Sequence, residues 1–166
     1  MKAIVAVDKY WGIGKKNDLL FHLSADMAYF REKTSHKVVV MGSNTLKSFP
    51  GGNPLKNRTN VVLFPGGEKR NDCIVVDSMK ELSDTLKKFD TNDVFIIGGA
   101  MFYRTMLPYC DTVYVTKVDA DGEAEVFFEN LDEKENWFLA EEGEKVEDNG
   151  YDIRFTAYKN KTPLAF

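Results

Sequence analysis

Cysteine and histidine are scarce in this 166-residue chain, which holds two of each. Cys73 and Cys110 stand far apart without C-x-x-C spacing. They read as reduced packing thiols, so a disulfide framework and a zinc site both lack support. His22 and His36 are isolated and read as surface or pocket-rim residues, so no metal is expected. Basic blocks are missing and the net charge is −4, which disfavours nucleic acid or an anionic membrane as partner. Long apolar runs are missing as well. "AIVAV" ends at Asp8, too short for a signal-peptide core, and nothing reaches transmembrane length. A cytoplasmic location is the expectation. Repeats, linkers and low-complexity stretches are also lacking.

What is present suits one domain over residues 1–166. The length supports a sizeable core, and 43% hydrophobic with 29% charged residues is an ordinary globular balance. Short apolar runs recur at 3–7, 37–41, 60–64, 73–76 and 93–97. They are rich in valine and isoleucine and do not alternate, as in parallel strands covered on both faces. Helical patterns lie between them: one from Ser24, one after Gly42, one in "SMKELSDTLKKF", and one from Gly98-Gly99 to Pro108. Ser78 and Glu81 have capping-box spacing. After residue 110 the pattern alternates, in "TVYVTKV" (112–118), "WFLAEE" (137–142) and "YDIRFTAYK" (151–159), which predicts partly antiparallel strands closing the sheet. Strand and helix in alternation predict an α/β domain with helices on both faces.

Asp26 is the residue that asks for an explanation. With Ser24 as N-cap, Leu23, Met27 and Phe30 form an apolar stripe, and Asp26 falls inside it. The plain account is a first-turn acid favoured by the helix dipole. The sharper one is a carboxylate on the floor of a ligand pocket. Two junctions, "VVVMGSNTLKSF" (38–49) and "VFIIGGAMFYRTM" (94–106), repeat one order: buried strand, glycine, helix start. Helix N-termini approached through glycine are anion sites. Two of them suit a dinucleotide with separated phosphates, although G-x-G-x-x-G is absent. Residues 8–22 form a long connection of the kind used as a lid. Gly12 and Gly14 are candidate hinges, against a packed loop held by Trp11, Ile13 and Leu19. Arg58 precedes a buried strand, where a guanidinium either meets solvent or grips a carboxylate. Thr116 alone is an ordinary strand residue.

Together these segments resemble dihydrofolate reductase, in order and over nearly the whole chain. "IVAVDKYWGIGKKNDLLFHLSADMAYF" resembles the family's first strand, lid and first helix. "KVVVMGSNTLKSF", "PLKNRTNVVL", "VFIIGGAMFYRTMLP" and "VYVTKVDAD" resemble its later segments. The resemblance implies an eight-stranded, mainly parallel sheet with an antiparallel C-terminal strand, four flanking helices, and a cis peptide between Gly98 and Gly99. It implies a monomer that reduces 7,8-dihydrofolate to 5,6,7,8-tetrahydrofolate with NADPH, by hydride transfer to C6 and protonation of N5.

The resemblance also assigns roles. Asp26 would hold the pterin's ring N–H and exocyclic amine, with a pKa raised by burial against Met27 and Phe30. Thr116 would bond both that carboxylate and the pterin. Leu19 would cover the reacting atoms, and Phe21 stands at a catalytic lid position. Carbonyls of Ile4 and Ile97 would face the pterin's amino edge, with Val5 and Ala6 lining the floor. Phe30, Phe49 and Leu55 would sandwich the aminobenzoyl ring, and Arg58 would grip the glutamate α-carboxylate. Ala6, Ile13 and Gly14 would meet the nicotinamide end of the cofactor. Gly42, Ser43, Asn44, Thr45 and Leu63 would meet one phosphate region, and Gly98, Gly99, Ala100, Met101, Phe102 and Tyr103 the other.

Departures from the family pattern carry their own expectations. Leu20-Phe21 replaces the usual Pro-Trp, which removes an indole donor. Ser43 replaces a basic residue, and Phe64-Pro65-Gly66 replaces a polar stretch at the cofactor's 2′-phosphate. Lys69 and Arg70 are the candidate substitutes there, and some use of NADH is expected. Ala100 replaces a frequent glycine. The alternatives are a related pyrimidine- or riboflavin-pathway reductase and a non-catalytic nicotinamide-nucleotide-binding module.

Overall fold

A computed structural model describes residues 1–16 and 18–166. Its strands are β1 (Lys2–Val7), β2 (Gly12–Gly14), β3 (Val38–Gly42), β4 (Thr59–Leu63), β5 (Ile74–Val76) and β6 (Val94–Gly98), followed by β7 (Thr112–Val118), β8 (Val126–Phe127), β9 (Trp137–Glu142), β10 (Val146–Asp148) and β11 (Tyr151–Asn160). The helices are α1 (Ser24–Thr34), α2 (Ser43–Ser48), α3 (Met79–Leu86) and α4 (Ala100–Met106).

The main sheet runs β10-β11-β7-β1-β6-β3-β4-β5, with β9 also on β11. Strands β1, β3, β4, β5, β6 and β7 are mutually parallel, and β11 is antiparallel to its neighbours. One edge of β11 pairs with β7. Its other edge takes β10 at Tyr151–Ile153 and β9 at Thr156–Asn160. Nine strands therefore fill eight positions. Consecutive residues Val39, Val40 and Met41 are fully buried, as are Val61 and Val62. Since neighbours along a strand point to opposite faces, both faces are covered.

Local chemistry explains the helix ends. Ser78 accepts the Glu81 N–H at 3.1 Å, and the Glu81 carboxylate accepts the Asp77 N–H at 2.8 Å. The capping box thus reaches one residue further back than its spacing implied. Ser24 is not the cap of α1. Leu23 takes the cap position without a side-chain bond, and Asp148 accepts the Ala25 N–H at 2.7 Å. The expected stripe on α1 is also different. Leu23 is buried, but Met27 is 58% exposed, and the half-buried face comprises Ala25, Asp26, Tyr29, Phe30 and Lys33.

The lid connection is partly ordered by strands. Short β2 pairs with β8, and Lys16 N–H donates to Glu125 at 2.6 Å. Gly12 and Gly14 are packing positions rather than hinges: an added Cβ at Gly12 would collide with Ala124, and at Gly14 it would lie 3.0 Å from Val126. Trp11 is buried as expected and stacks on Phe128, whereas Leu19 is 62% exposed. Buried Asp8 accepts the N–H groups of Tyr10, Gly12 and Gly122, tying the root of the lid to the loop before β8. No helix among the described residues is long and apolar enough to cross a membrane.

Candidate active site

Sheet register builds the floor of the site. Ala6 on β1 lies beside Thr116 on β7, and Ile4 lies beside Tyr114. Thr116 is 1% exposed, and its hydroxyl donates to the Asp26 carboxylate at 2.7 Å. That bond joins α1 to the sheet across 90 residues of sequence. Burial raises the Asp26 carboxyl above its ordinary range, the Thr116 bond opposes the rise, and Asp148 adds to it. The Tyr29 phenol, one helical turn on, is pushed up to about 12 by burial first and by neighbouring charges second.

An apolar wall adjoins the floor. Ile4, Met41, Leu46 and Ile97 belong to one buried cluster, and Phe30, Phe49 and Leu55 pack half-buried against it. Five of those residues, all but Met41 and Leu46, were expected to meet substrate. Val5 was expected on the same floor but packs in the other core cluster, because alternate residues of a strand face opposite ways. Met27 and Leu19 are both exposed. Phe21 is half-buried, with its ring edge-on to Tyr151 at 4.8 Å, in a small cluster with Leu23, Val118 and Ile153.

Arg58 stands beyond that wall. It donates to Thr34 Oγ1 at 3.1 Å and to the Lys56 carbonyl at 2.9 Å, with its guanidinium 5.9 Å from the Phe30 ring centroid. Burial, then nearby Arg31, pulls its pKa below the usual value. The loop carrying it is pinned by buried Asn60. That side chain accepts the Leu55 N–H at 3.0 Å and donates to the carbonyls of Leu55 and Arg58 at 2.9 and 3.1 Å. Asn60 was overlooked in the sequence, although a polar residue inside "TNVVL" was the available signal.

The two glycine junctions converge on Thr45. A Cβ on Gly98 would lie 3.3 Å from Thr45 Oγ1, and one on Gly99 3.6 Å, while the space beside Gly42 is open. The Gly98–Gly99 peptide is cis. Neither α2 nor α4 has a side-chain cap among the described residues, so their leading N–H groups are free for an anion. Ser43, Thr45, Leu63 and Ala100 are half-buried here, and Asn44 and Met101 are exposed. Ile13 and Leu63 pack against the larger cluster, which contains Phe102 and Tyr103. Tyr103 does not point at a phosphate: it is buried and donates to the Ile4 carbonyl at 2.7 Å. That carbonyl keeps a second lone pair for substrate.

Lys69 and Arg70 are already engaged. Lys69 meets Val75 O at 2.6 Å and Glu81 at 2.9 Å, and Arg70 is bidentate on Asp72. Lys47, one turn along α2 from Ser43, lies 4.8 Å from the Phe64 ring centroid and is the cation beside the substituted stretch. A separate cleft of about 360 Å³ is lined by Val7, Trp11, Lys117, Asp132, Lys145 and Arg154, among others. It includes none of Asp26, Thr116, Arg58 and the glycine junctions, and is crossed by the pairs Lys117–Asp132 and Lys145–Asp152.

Comparison with known proteins identifies the family. A dihydrofolate reductase family model matches residues 1–160. The dihydrofolate reductase of Bacillus subtilis is 39% identical over 161 residues, covering 95% of this chain and 93% of that protein. That of Haemophilus influenzae is 35% identical over 150 residues, covering 90% and 91%. A solved dihydrofolate reductase from Enterococcus faecalis, complexed with NADP(H) and RAB-propyl, superposes with a TM-score of 0.82 at 30% identity, covering 96% of this chain and 95% of that one. The family match over residues 1–160 and the end-to-end likeness to these proteins lead to one assignment: the chain belongs to the dihydrofolate reductase family.

Proposed function

We infer that this chain is an NADP-dependent oxidoreductase that reduces 7,8-dihydrofolate to 5,6,7,8-tetrahydrofolate, supporting one-carbon metabolism. The observation that carries the reading is the Thr116–Asp26 pair, a carboxylate half-buried on an apolar face and held by the sheet. When bound, NADPH supplies the hydride for C6. Asp26 holds the pterin's amidine-like edge in two places and favours protonation at N5. Thr116 fixes the carboxylate's orientation. The half-buried rings of Phe30 and Phe49, with Leu55, take the aminobenzoyl group. Arg58, held by Thr34, binds the α-carboxylate of the tail. Exposed Met27 and Leu19 supply apolar surface that a seated ligand covers, which excludes water from the reacting atoms.

The junction at Gly42, Thr45, Gly98 and Gly99 fits a dinucleotide, because glycines keep both approaches open around one hydroxyl. Ser43 and Pro65 offer the 2′-phosphate no charge, and Lys69 and Arg70 are paired elsewhere. Lys47 is then the available cation, and the preference for NADPH over NADH is reduced relative to a member with arginine at position 43. Free thiols at Cys73 and Cys110 support a reducing, cytoplasmic setting. The reading extends to a single-domain monomer. The test follows reduced-nicotinamide absorbance with dihydrofolate, using NADPH and NADH in parallel. Turnover with both, faster with NADPH, is expected. Cofactor binding without turnover would leave a nucleotide-binding module instead.

A further inference from the structure

The tip of the β10–β11 hairpin grips the entry to α1 at successive points. Asn149 and Gly150 both have positive φ, 52° and 82°, and Asp148 pairs with Tyr151 across them. This is the two-residue turn that asparagine-glycine favours, and it fixes where Asp148 points. Asp148 accepts the Ala25 N–H at 2.7 Å, Asn149 donates to the His22 carbonyl at 3.5 Å, and the Tyr151 ring meets Phe21 edge-on. All three contacts fall on residues 21–25, immediately before Asp26.

We propose that Asp148 is a positioning residue for the acid Asp26, holding the first turn of α1 by its carboxylate and setting the charge that Asp26 faces. This rests on Asp26 being the acid of the proposed reaction. A carboxylate at a helix N-terminus is favoured by the free N–H groups there. The same charge stands next to a second carboxylate in the first turn, and like charges at close range disfavour ionisation of the weaker one. The other groups facing Asp26 are Thr116 from β7, Tyr103 from α4 and Tyr29 from α1. On the lid side, His22 lies 3.9 Å from Asp18. The Thr116 bond favours the charged form of Asp26 and opposes the rise, and burial pushes both tyrosine phenols up, so they stay neutral. Burial is the larger cause that raises the Asp26 carboxyl, and Asp148, placed by the turn, adds to it.

The test separates charge from capping. Asp148→Asn keeps an acceptor for the Ala25 N–H and loses the charge, and Asp148→Ser is a second neutral cap. The ligand-free protein is labelled with carboxyl ¹³C, and the Asp26 resonance is titrated in wild type and in both variants. Asp26 should titrate at lower pH in each variant. The hydride-transfer rate above neutrality should fall by the same factor as the protonated fraction of Asp26. A purely structural role would lower stability and leave the Asp26 titration where it is. An unmoved or raised titration in a folded variant overturns the proposal. If the titration moves but Asp26→Asn stays fully active at neutral pH, the coupling stands and the role of Asp26 as acid is lost.

Discussion

Asn60 offers a measurable link between packing and substrate affinity. Its side chain is 4% exposed and makes three hydrogen bonds to backbone groups of Leu55 and Arg58. In Asn60→Ala all three are lost and a buried N–H is left without a partner. At about 1 kcal/mol net for each bond, the loss is about 3 kcal/mol. For a chain of this size each kcal/mol moves Tm by roughly 2–4 °C, so a fall of roughly 6–12 °C is expected. The functional consequence is distinct from the stability loss. The 55–58 loop carries both the aryl contact and the tail-binding guanidinium, so KM for dihydrofolate should rise several-fold with little change in kcat, in the direction expected of Arg58→Leu. Urea unfolding followed by circular dichroism, with steady-state kinetics well below Tm, reads both. A loss under about 1 kcal/mol would show that the loop is held by other contacts. A normal KM in a clearly destabilised variant would show that the loop does not carry the substrate.

Other outcomes test the acid and the cofactor site. Burial raises the Asp26 carboxyl above 3.8, opposed by Thr116 and assisted by Asp148. The folded chain then holds that proton more tightly than the unfolded chain, so stability falls as pH rises from 3.8 through the raised value. Asp26→Asn should remove this fall and gain stability on wild type as pH leaves the acid range, with no difference below 3.8. Its turnover should drop strongly near neutrality and less in acid, where substrate arrives protonated; an equal drop at every pH contradicts the assigned role. Lys47→Ala should weaken binding of 2′,5′-ADP severalfold and leave 5′-AMP unchanged, read by calorimetry. Equal loss for both would remove Lys47 from the 2′-phosphate.

The legible parts of the fold are those with unbroken local patterns. The runs around Val39–Met41 and Val61–Val62 read as doubly covered strands because both faces are apolar. Ser78 and Glu81 marked α3 because a capping box is local chemistry. Strand β10 escaped notice: its three residues "VED" carry no pattern, and its place is set by pairing with Tyr151–Ile153. The start of α1 was misread for a related reason. Ser24 is the near polar residue, but the group that reaches the Ala25 N–H is an aspartate 123 residues away.

The site divides along the same line. Asp26 attracted notice because an acid on a half-buried face is costly and needs a cause, and Arg58 because a cation precedes a buried strand. Each partner that gives those residues a function arrives from elsewhere in the chain: Thr116 and Asp148 to Asp26, Thr34 and Asn60 to Arg58 and its loop. Single-residue reading finds the charged atom and not the atoms that hold it. For Asp26 the distinction decides the chemistry. Burial and Asp148 push the proton on, while the Thr116 hydroxyl steadies the carboxylate without it. The acid's ionisation is thus a difference between opposing contacts from separate elements, and a change in any one of them is enough to move it.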